Sequence, residues 1–268
     1  NGRALFISTP CGYNWAYDLY LRGTGEPQWK SWQTTTADSG RIDPERLDQA
    51  RANLHPAMYK QEYEASFETL LGRVYSNFDR KQNIAAVKDM GGELLVGMDF
   101  NVHPMSYVVC QAAGDECHVL AAVELPVSNT EEVVGHLKAT YPNRRLTICP
   151  DPSGRARKTS APVGQTDFTI LERAGFTIDA SPSAPPIVDR INNVQANLLA
   201  AGGRRRLLID PSATALIKAF DGLTYKEGSN LPNKASGLDH ITDAAGYLLW
   251  ERFNLLQNLR PRLLTVYA

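Results

Sequence analysis

The run Leu94-Leu-Val-Gly-Met-Asp-Phe-Asn-Val-His103 constrains the fold of this chain more than any other stretch. Leu94, Leu95, Val96 and Met98, with Gly97 among them, put apolar side chains on both faces of a strand, which predicts a strand covered from both sides in a sheet. It ends by presenting a carboxylate, Asp99, and a charge in such a place is costly unless something pairs it. A metal ion is the simplest partner.

There is enough apolar sequence to build a core around that strand. Of the 268 residues 43% are hydrophobic and 21% charged, which suits one large core or two smaller ones. The 28 Lys and Arg nearly cancel the 29 Asp and Glu, so net charge selects no polyanionic partner, and only a local basic patch could do so. Cys11, Cys110, Cys117 and Cys149 show neither the C-x-x-C spacing of a zinc site nor a regular disulfide framework, and are expected to be reduced and mostly buried. No run approaches the roughly 18 apolar residues of a membrane helix, and no secretory leader opens the sequence. These features predict no membrane partner and a cytoplasmic location. A chain that begins at Asn1 and enters a strand almost at once is expected to be a piece of a longer polypeptide.

In chain order, Arg3 to Pro10 reads as a short apolar strand, Tyr13 to Leu21 as a helix and Trp29 to Thr36 as a strand. Asp43-Pro44-Glu45 has the form of a helix start, His55-Pro56 breaks that helix, and Met58 to Phe67 is expected to form another. Beyond Gly91-Gly92 and the central strand, Ser106 to Ala113 and His118 to Leu125 are strands joined by Gly114-Asp115-Glu116, completing an antiparallel meander. A helix from Thr130 follows, then a strand Arg145 to Cys149 that ends at Pro150-Asp151-Pro152-Ser153-Gly154. Helices at 167–174, 187–200, 211–220 and 238–256 alternate with strands at Phe176 and 206–209. This order predicts a mixed α/β sheet flanked by helices.

Asp99 and Asp151 each close an apolar strand, and open sheets gather ligands at strand ends. A third acidic pair lies on the last helix. Asp239, Asp243 and Tyr247 share one helical face while Ile241, Ala245 and Leu248 form the buried one. Ser236-Gly-Leu-Asp239 also fits a capping box, which would occupy Asp239 locally, and Asp99 and Asp151 could equally serve as turn-capping residues. Carboxylates brought together without cations repel one another, so a shared site calls for divalent metal, and hard oxygen ligands select Mg²⁺ or Mn²⁺. Two such ions about 4 Å apart can activate water and stabilise the leaving oxygen of a phosphodiester.

The order strand-Asp99, strand-Asp151-Pro-Ser-Gly and helix-Asp239-His-Ile-Thr-Asp243-Ala-Ala-Gly-Tyr247 resembles the nuclease domain of the tailed-bacteriophage terminase large subunit. Phe6-Ile-Ser-Thr-Pro10-Cys-Gly12 resembles the coupling segment near the end of the family's ATPase domain, and Tyr63 to Asp79 the segment joining the two domains. The resemblance implies an RNase H-like fold over residues 81–268, preceded by the end of a P-loop-type ATPase domain and linker over 1–80. It implies a metal-dependent endonuclease that cuts concatemeric double-stranded DNA in the host cytoplasm, with a terminase small subunit, a portal protein and other copies of the chain as partners. Asp99, Asp151 and Asp243 match the metal-binding acids, with Asp239 beside them and Glu124 as a candidate fourth. No G-x-x-x-x-G-K-[ST] loop is present, so the chain is not expected to hydrolyse ATP by itself.

Arg155, Arg157 and Lys158 follow Asp151 closely and could hold the DNA backbone; Arg204, Arg205 and Arg206 form a second cluster of the same kind. His103 and His240 flank the acids, and a lone histidine more often serves a local hydrogen bond than a phosphate. A different reading treats the chain as a portal-docking module with little nuclease activity in isolation, the aliphatic and aromatic segment Leu255 to Tyr267 supplying the contact. A junction resolvase or transposase of the same fold group would have no reason to carry the Ile-Ser-Thr-Pro segment.

Overall fold

The structure, a computed structural model describing residues 3–10, 15–67, 72–159, 161–226 and 229–256, makes the central run strand β1 (Leu94–Asp99), buried at every position. Its partners are β2 (Met105–Ala113), β3 (Glu116–Leu125), β4 (Leu146–Pro150), β5 (Thr177–Ile178) and β6 (Leu207–Ile209). They form a six-stranded sheet in the order β5-β4-β1-β2-β3-β6. The meander β1-β2-β3 is antiparallel, turning at Gly114, whose φ of 66° suits glycine. The pairs β1-β4, β4-β5 and β3-β6 are parallel. A parallel neighbour on one side of β1 and an antiparallel one on the other explain its unbroken apolar run, because helices cover both faces.

The helices are α1 (Trp15–Gly25), α2 (Pro44–Asn53), α3 (Pro56–Tyr63), α4 (Arg80–Asn83), α5 (Thr130–Thr140), α6 (Asp167–Arg173), α7 (Ile187–Leu198), α8 (Thr214–Gly222) and α9 (Asp239–Arg252). Leu94, Val96, Met98 and Ile148 pack with Val133 and Leu137 of α5 and Leu171 of α6. On the opposite face Leu95, Val108, Cys110 and Cys149 meet α7, α8 and α9 through Val194, Phe220, Ile241 and Leu248. Gly97 is where α9 comes down on the sheet: a Cβ there would lie 2.1 Å from the Ala244 carbonyl oxygen and 2.7 Å from Leu248 Cβ. Val74, Tyr75 and Phe78 join the α9-side core, with Tyr75 and Phe78 against the Phe220 ring. Cys110, Cys117 and Cys149 are free and buried as expected, and Cys11 lies outside the described residues.

Two strand expectations fail. Residues 3–10 and Trp29–Thr36 are irregular, because among the described residues no strand offers either of them a ladder, and apolar content alone does not make a strand. Leu5, Phe6 and Ile7 are exposed, while Thr36 N–H donates instead to the Tyr63 carbonyl. The helix start at Asp43 forms as read, its carboxylate accepting from Glu45 N with Pro44 in the first turn. Helix α9 stops at Arg252 rather than 256: Asn197 donates to the Phe253 carbonyl and Asn193 accepts from Leu255 N, diverting the groups that would extend it. Cys11, Gly12 and Tyr13, residues 68–71 of the joining segment, and 257–268 of the proposed docking segment lie outside the described residues. Among the described residues no helix is long and apolar enough to cross a membrane.

Ala50 and Leu54 of the first part pack on Leu256 and Trp250, Leu54 O accepts from Ala201 N, and Gly202 abuts Ala52. His55 is buried at this junction; burial pulls its pKa down to about 4 against the opposing hydrogen bond with Asn77. The unfolded chain takes up this proton below about pH 6.5 and the folded chain only near 4, so the stability is complete above the first value and lost on descending to the second. Urea unfolding from about pH 7 to about pH 4.5 should show a loss of up to about 3 kcal/mol that His55→Gln largely removes. Equal pH slopes in the two proteins would place the acid sensitivity elsewhere.

Candidate active site

Neighbouring parallel strands deliver the first two acids together. Met98 pairs with Pro150, and Asp151 N donates to the Met98 carbonyl at 3.0 Å, so Asp99 and Asp151 leave adjacent strand ends. Alternation sends Leu95, Gly97 and Asp99 of β1, and Cys149 and then Asp151 beyond β4, towards α9. Asp151 also caps the 3-10 turn Pro152–Arg155 by accepting from Ser153 N at 2.8 Å. Its turn role and its place at the site therefore coexist, and the Tyr247 hydroxyl of α9 hydrogen-bonds its side chain.

Helix α9 supplies the other acids at one-turn spacing. Asp243 is near enough to Asp99 for their charges to interact. Burial pushes the Asp243 carboxyl up, Arg190 beside it opposes the rise, and the Asp99 charge adds to it. Arg190 Nη2 donates to Asp243 Oδ1 at 2.6 Å, and its guanidinium lies over the Tyr247 ring at 4.1 Å. Asp99 Oδ2 accepts from Asn101 Nδ2 at 2.9 Å and lies 3.1 Å from His240 Nδ1. The Asp99 hydrogen bond raises the His240 pKa against the opposing effect of burial. His103 is exposed on the loop after β1.

Asp239 departs from its expected cap role. Leu238 occupies the cap position with no side-chain hydrogen bond, and Ser236 Oγ instead accepts from Leu238 N within the preceding turn. The Asp239 carboxylate is 1% exposed with neither oxygen hydrogen-bonded; Lys234 Nζ stands 3.3 Å from Oδ2, an ion pair without hydrogen-bond geometry. Glu124 shares the α9 side of the sheet, in register with Ser106 and through it with Asp99. That places it two strands, roughly 10 Å, from Asp99, and exposed. Ser106 Oγ between them is buried without a partner.

The donor chemistry fits a hard divalent cation. Asp99 Oδ1 and Asp243 Oδ2 accept no hydrogen bond among the described residues while their companion oxygens are held, and the Asp239 oxygens are orphaned beside them. As the side chains stand, no group of three or more Asp, Glu, His or Cys among the described residues is disposed to hold an ion. Arg190, Asn101 and the Asp151 turn occupy the acids in its place. Of the basic residues, Arg155 donates to the Ala180 and Ser181 carbonyls and lies over the Phe168 ring, and Lys158 pairs with Asp167. Arg157 is exposed, with no partner among the described residues. The second basic cluster is committed to the fold: Arg204 and Arg206 pair with Asp115, and Arg205 binds Asn83 and two carbonyls.

Arg190 and Asn101 were not singled out by sequence. Arg190 lies on α7 in a stripe with Asn193 and Asn197, all buried against α9. In sequence that stripe reads as the solvated side of an amphipathic helix, and only the pairing of α7 with α9 turns it inward.

A mixed sheet with carboxylates at the ends of two central parallel strands, crossed by a helix bearing more, is the RNase H-like nuclease arrangement. The P22 large terminase nuclease domain superposes on 70% of this chain and 97% of its own length with a TM-score of 0.53 at 13% identity. A large terminase from a thermophilic bacteriophage covers 90% of this chain with a TM-score of 0.68 at 16% identity, so the segment before the nuclease unit shares its fold too. In sequence, the "Terminase, large subunit" of Escherichia phage T5 is 35% identical over 92 residues, 34% of this chain. No family model matches. The chain spans 61% of the thermophilic phage's terminase, and its match takes in 21% of the T5 protein. The resemblance to terminase large subunits therefore holds in both sequence and fold.

Proposed function

We propose that this chain carries the metal-dependent endonuclease of a viral DNA-packaging terminase, cutting concatemeric double-stranded DNA in the host cytoplasm. Residues 1–80 would be the end of the ATPase unit and linker, and 81–268 the nuclease unit. A terminase small subunit, a portal protein and further copies of the chain would be its partners. The observation that carries this reading is that Asp99, Asp151 and Asp243 share one side of the sheet at the ends of β1 and β4.

When bound, Mg²⁺ or Mn²⁺, as a pair of ions, would supply Lewis acidity at the phosphodiester and a nucleophile near neutral pH. The chain's own contribution is orientation. Asn101 and His240 fix the Asp99 carboxylate, Ser153 N and Tyr247 fix Asp151, and Arg190 fixes Asp243. Asp239 adds negative charge, and Glu124 would reach the site only from two strands away. Arg157, with Arg155 and Lys158 behind it, would hold a backbone phosphate without reading sequence.

Cleavage of supercoiled plasmid with Mg²⁺, Mn²⁺ or EDTA tests the reading: cutting is expected in a divalent metal and not in EDTA. No cutting by folded protein in either metal contradicts it. Arg157→Ala should weaken DNA binding uniformly across sequences and lower the salt slope by about 1. An unchanged slope in a fluorescence-anisotropy titration would remove Arg157 from the interface.

A further inference from the structure

Arg190 is a charged residue that neither the fold nor the proposed chemistry obviously requires. It is 4% exposed, and a guanidinium so buried is tolerated only where its charge and planar face are both engaged. Both are. One nitrogen donates to Asp243 Oδ1 at 2.6 Å and the plane covers Tyr247 at 4.1 Å. Its stem rests on Gly246, where a Cβ would meet Arg190 Cδ and Cγ at 2.9 Å, so α9 carries a glycine where the arginine passes. Asp243 and Tyr247, the two groups it touches, are the ones through which α9 faces Asp99 and Asp151.

We propose that Arg190 is a positioning residue for the metal centre: it grips one oxygen of Asp243 and turns the other towards Asp99, so that α9 presents a preset ligand. The inference rests on the metal-nuclease reading. Two opposite effects are at stake, and they differ in sign. If Arg190 acted only as a nearby positive charge it would repel a divalent cation, and its removal would tighten metal binding. If it orients the ligand, its removal loosens binding, as loss of an outer partner of a metal ligand does, by about ten- to a hundredfold. The fixed single-nitrogen contact and the stacked plane favour orientation, because they define the Asp243 rotamer rather than merely its charge.

The test is Mn²⁺ binding followed by electron paramagnetic resonance on the whole chain, without DNA, for wild type, R190M, R190K, D243N and the double variants. R190M should bind Mn²⁺ about tenfold more weakly or worse, and R190K should lie between it and wild type. In the D243N background neither substitution should change affinity further, since the effect runs through Asp243. A purely structural arginine would lower the melting temperature and leave the affinity of the folded fraction alone. R190M binding as wild type does, or more tightly, overturns the proposal. Should R190M fail to fold, R190K decides: weakening that is equal with and without D243N overturns it. Wild type that binds no Mn²⁺ at all overturns the metal-nuclease reading and this proposal together, whereas wild-type binding lost in D99N and kept in R190M overturns this proposal alone.

Discussion

Asp99→Asn is expected to lower metal-dependent plasmid cutting by at least about a hundredfold while leaving the protein folded. The substitution is nearly isosteric and removes one negative charge from a site whose proposed work is to hold cations. The amide oxygen can still accept from Asn101, and β1 keeps its ladder, which the backbone alone provides. Removing a carboxylate from a cluster of like charges relieves repulsion with Asp243, so stability should hold or rise slightly. Activity and stability thus move in opposite directions. Parallel measurement of cleavage rate and melting temperature checks this, and cutting at the wild-type rate would remove Asp99 from the chemistry.

Gly97→Val should do the reverse, abolishing the fold rather than the chemistry alone. The Cβ of any residue there would stand 2.1 Å from the Ala244 carbonyl oxygen, which belongs to helix backbone and cannot swing aside like a side-chain tip. Valine adds two methyl groups to that overlap. Relief requires α9 to lift from β1, uncovering Leu95 and Leu248 and moving Asp243 away from Asp99. Overpacking of this kind costs about 1–3 kcal/mol where side chains can yield, and more where backbone must. Chemical denaturation should show a loss of more than about 3 kcal/mol or an insoluble protein; a variant within about 1 kcal/mol of wild type would mean that α9 does not seat on β1 as described.

The sheet was legible where local pattern and tertiary demand agree. The continuous apolar run 94–98 and the alternation after Gly114 place β1, β2 and β3 within a residue or two of where they lie, because burial on two faces and a tight turn both leave marks in sequence. Residues 3–10 and 29–36 carry the same composition without a strand to pair with, and a ladder is a property of two segments. At the site, Asp99, Asp151 and Asp243 stood out as acids at strand ends and on one helix face. Their supports did not. Arg190 and Asn101 matter through contacts with Asp243 and Asp99, 53 and 2 residues away, and only the first of these distances hid the partner completely. Asn101 lay inside the anchoring run but reads as an ordinary turn residue. His240 and Asp239 show the limit from the other side: their neighbourhood to Asp243 was plain, yet the Asp99 contact of one and the loss of the cap by the other depend on how α9 meets the sheet.

The most direct test of the central claim is anomalous diffraction from crystals soaked in Mn²⁺. The account predicts Mn²⁺ density bounded by Asp99, Asp151 and Asp243 at the ends of β1 and β4, absent from crystals of the Asp99→Asn variant. Density elsewhere on the chain with that end of the sheet bare, from protein that cuts DNA in Mn²⁺, would contradict it.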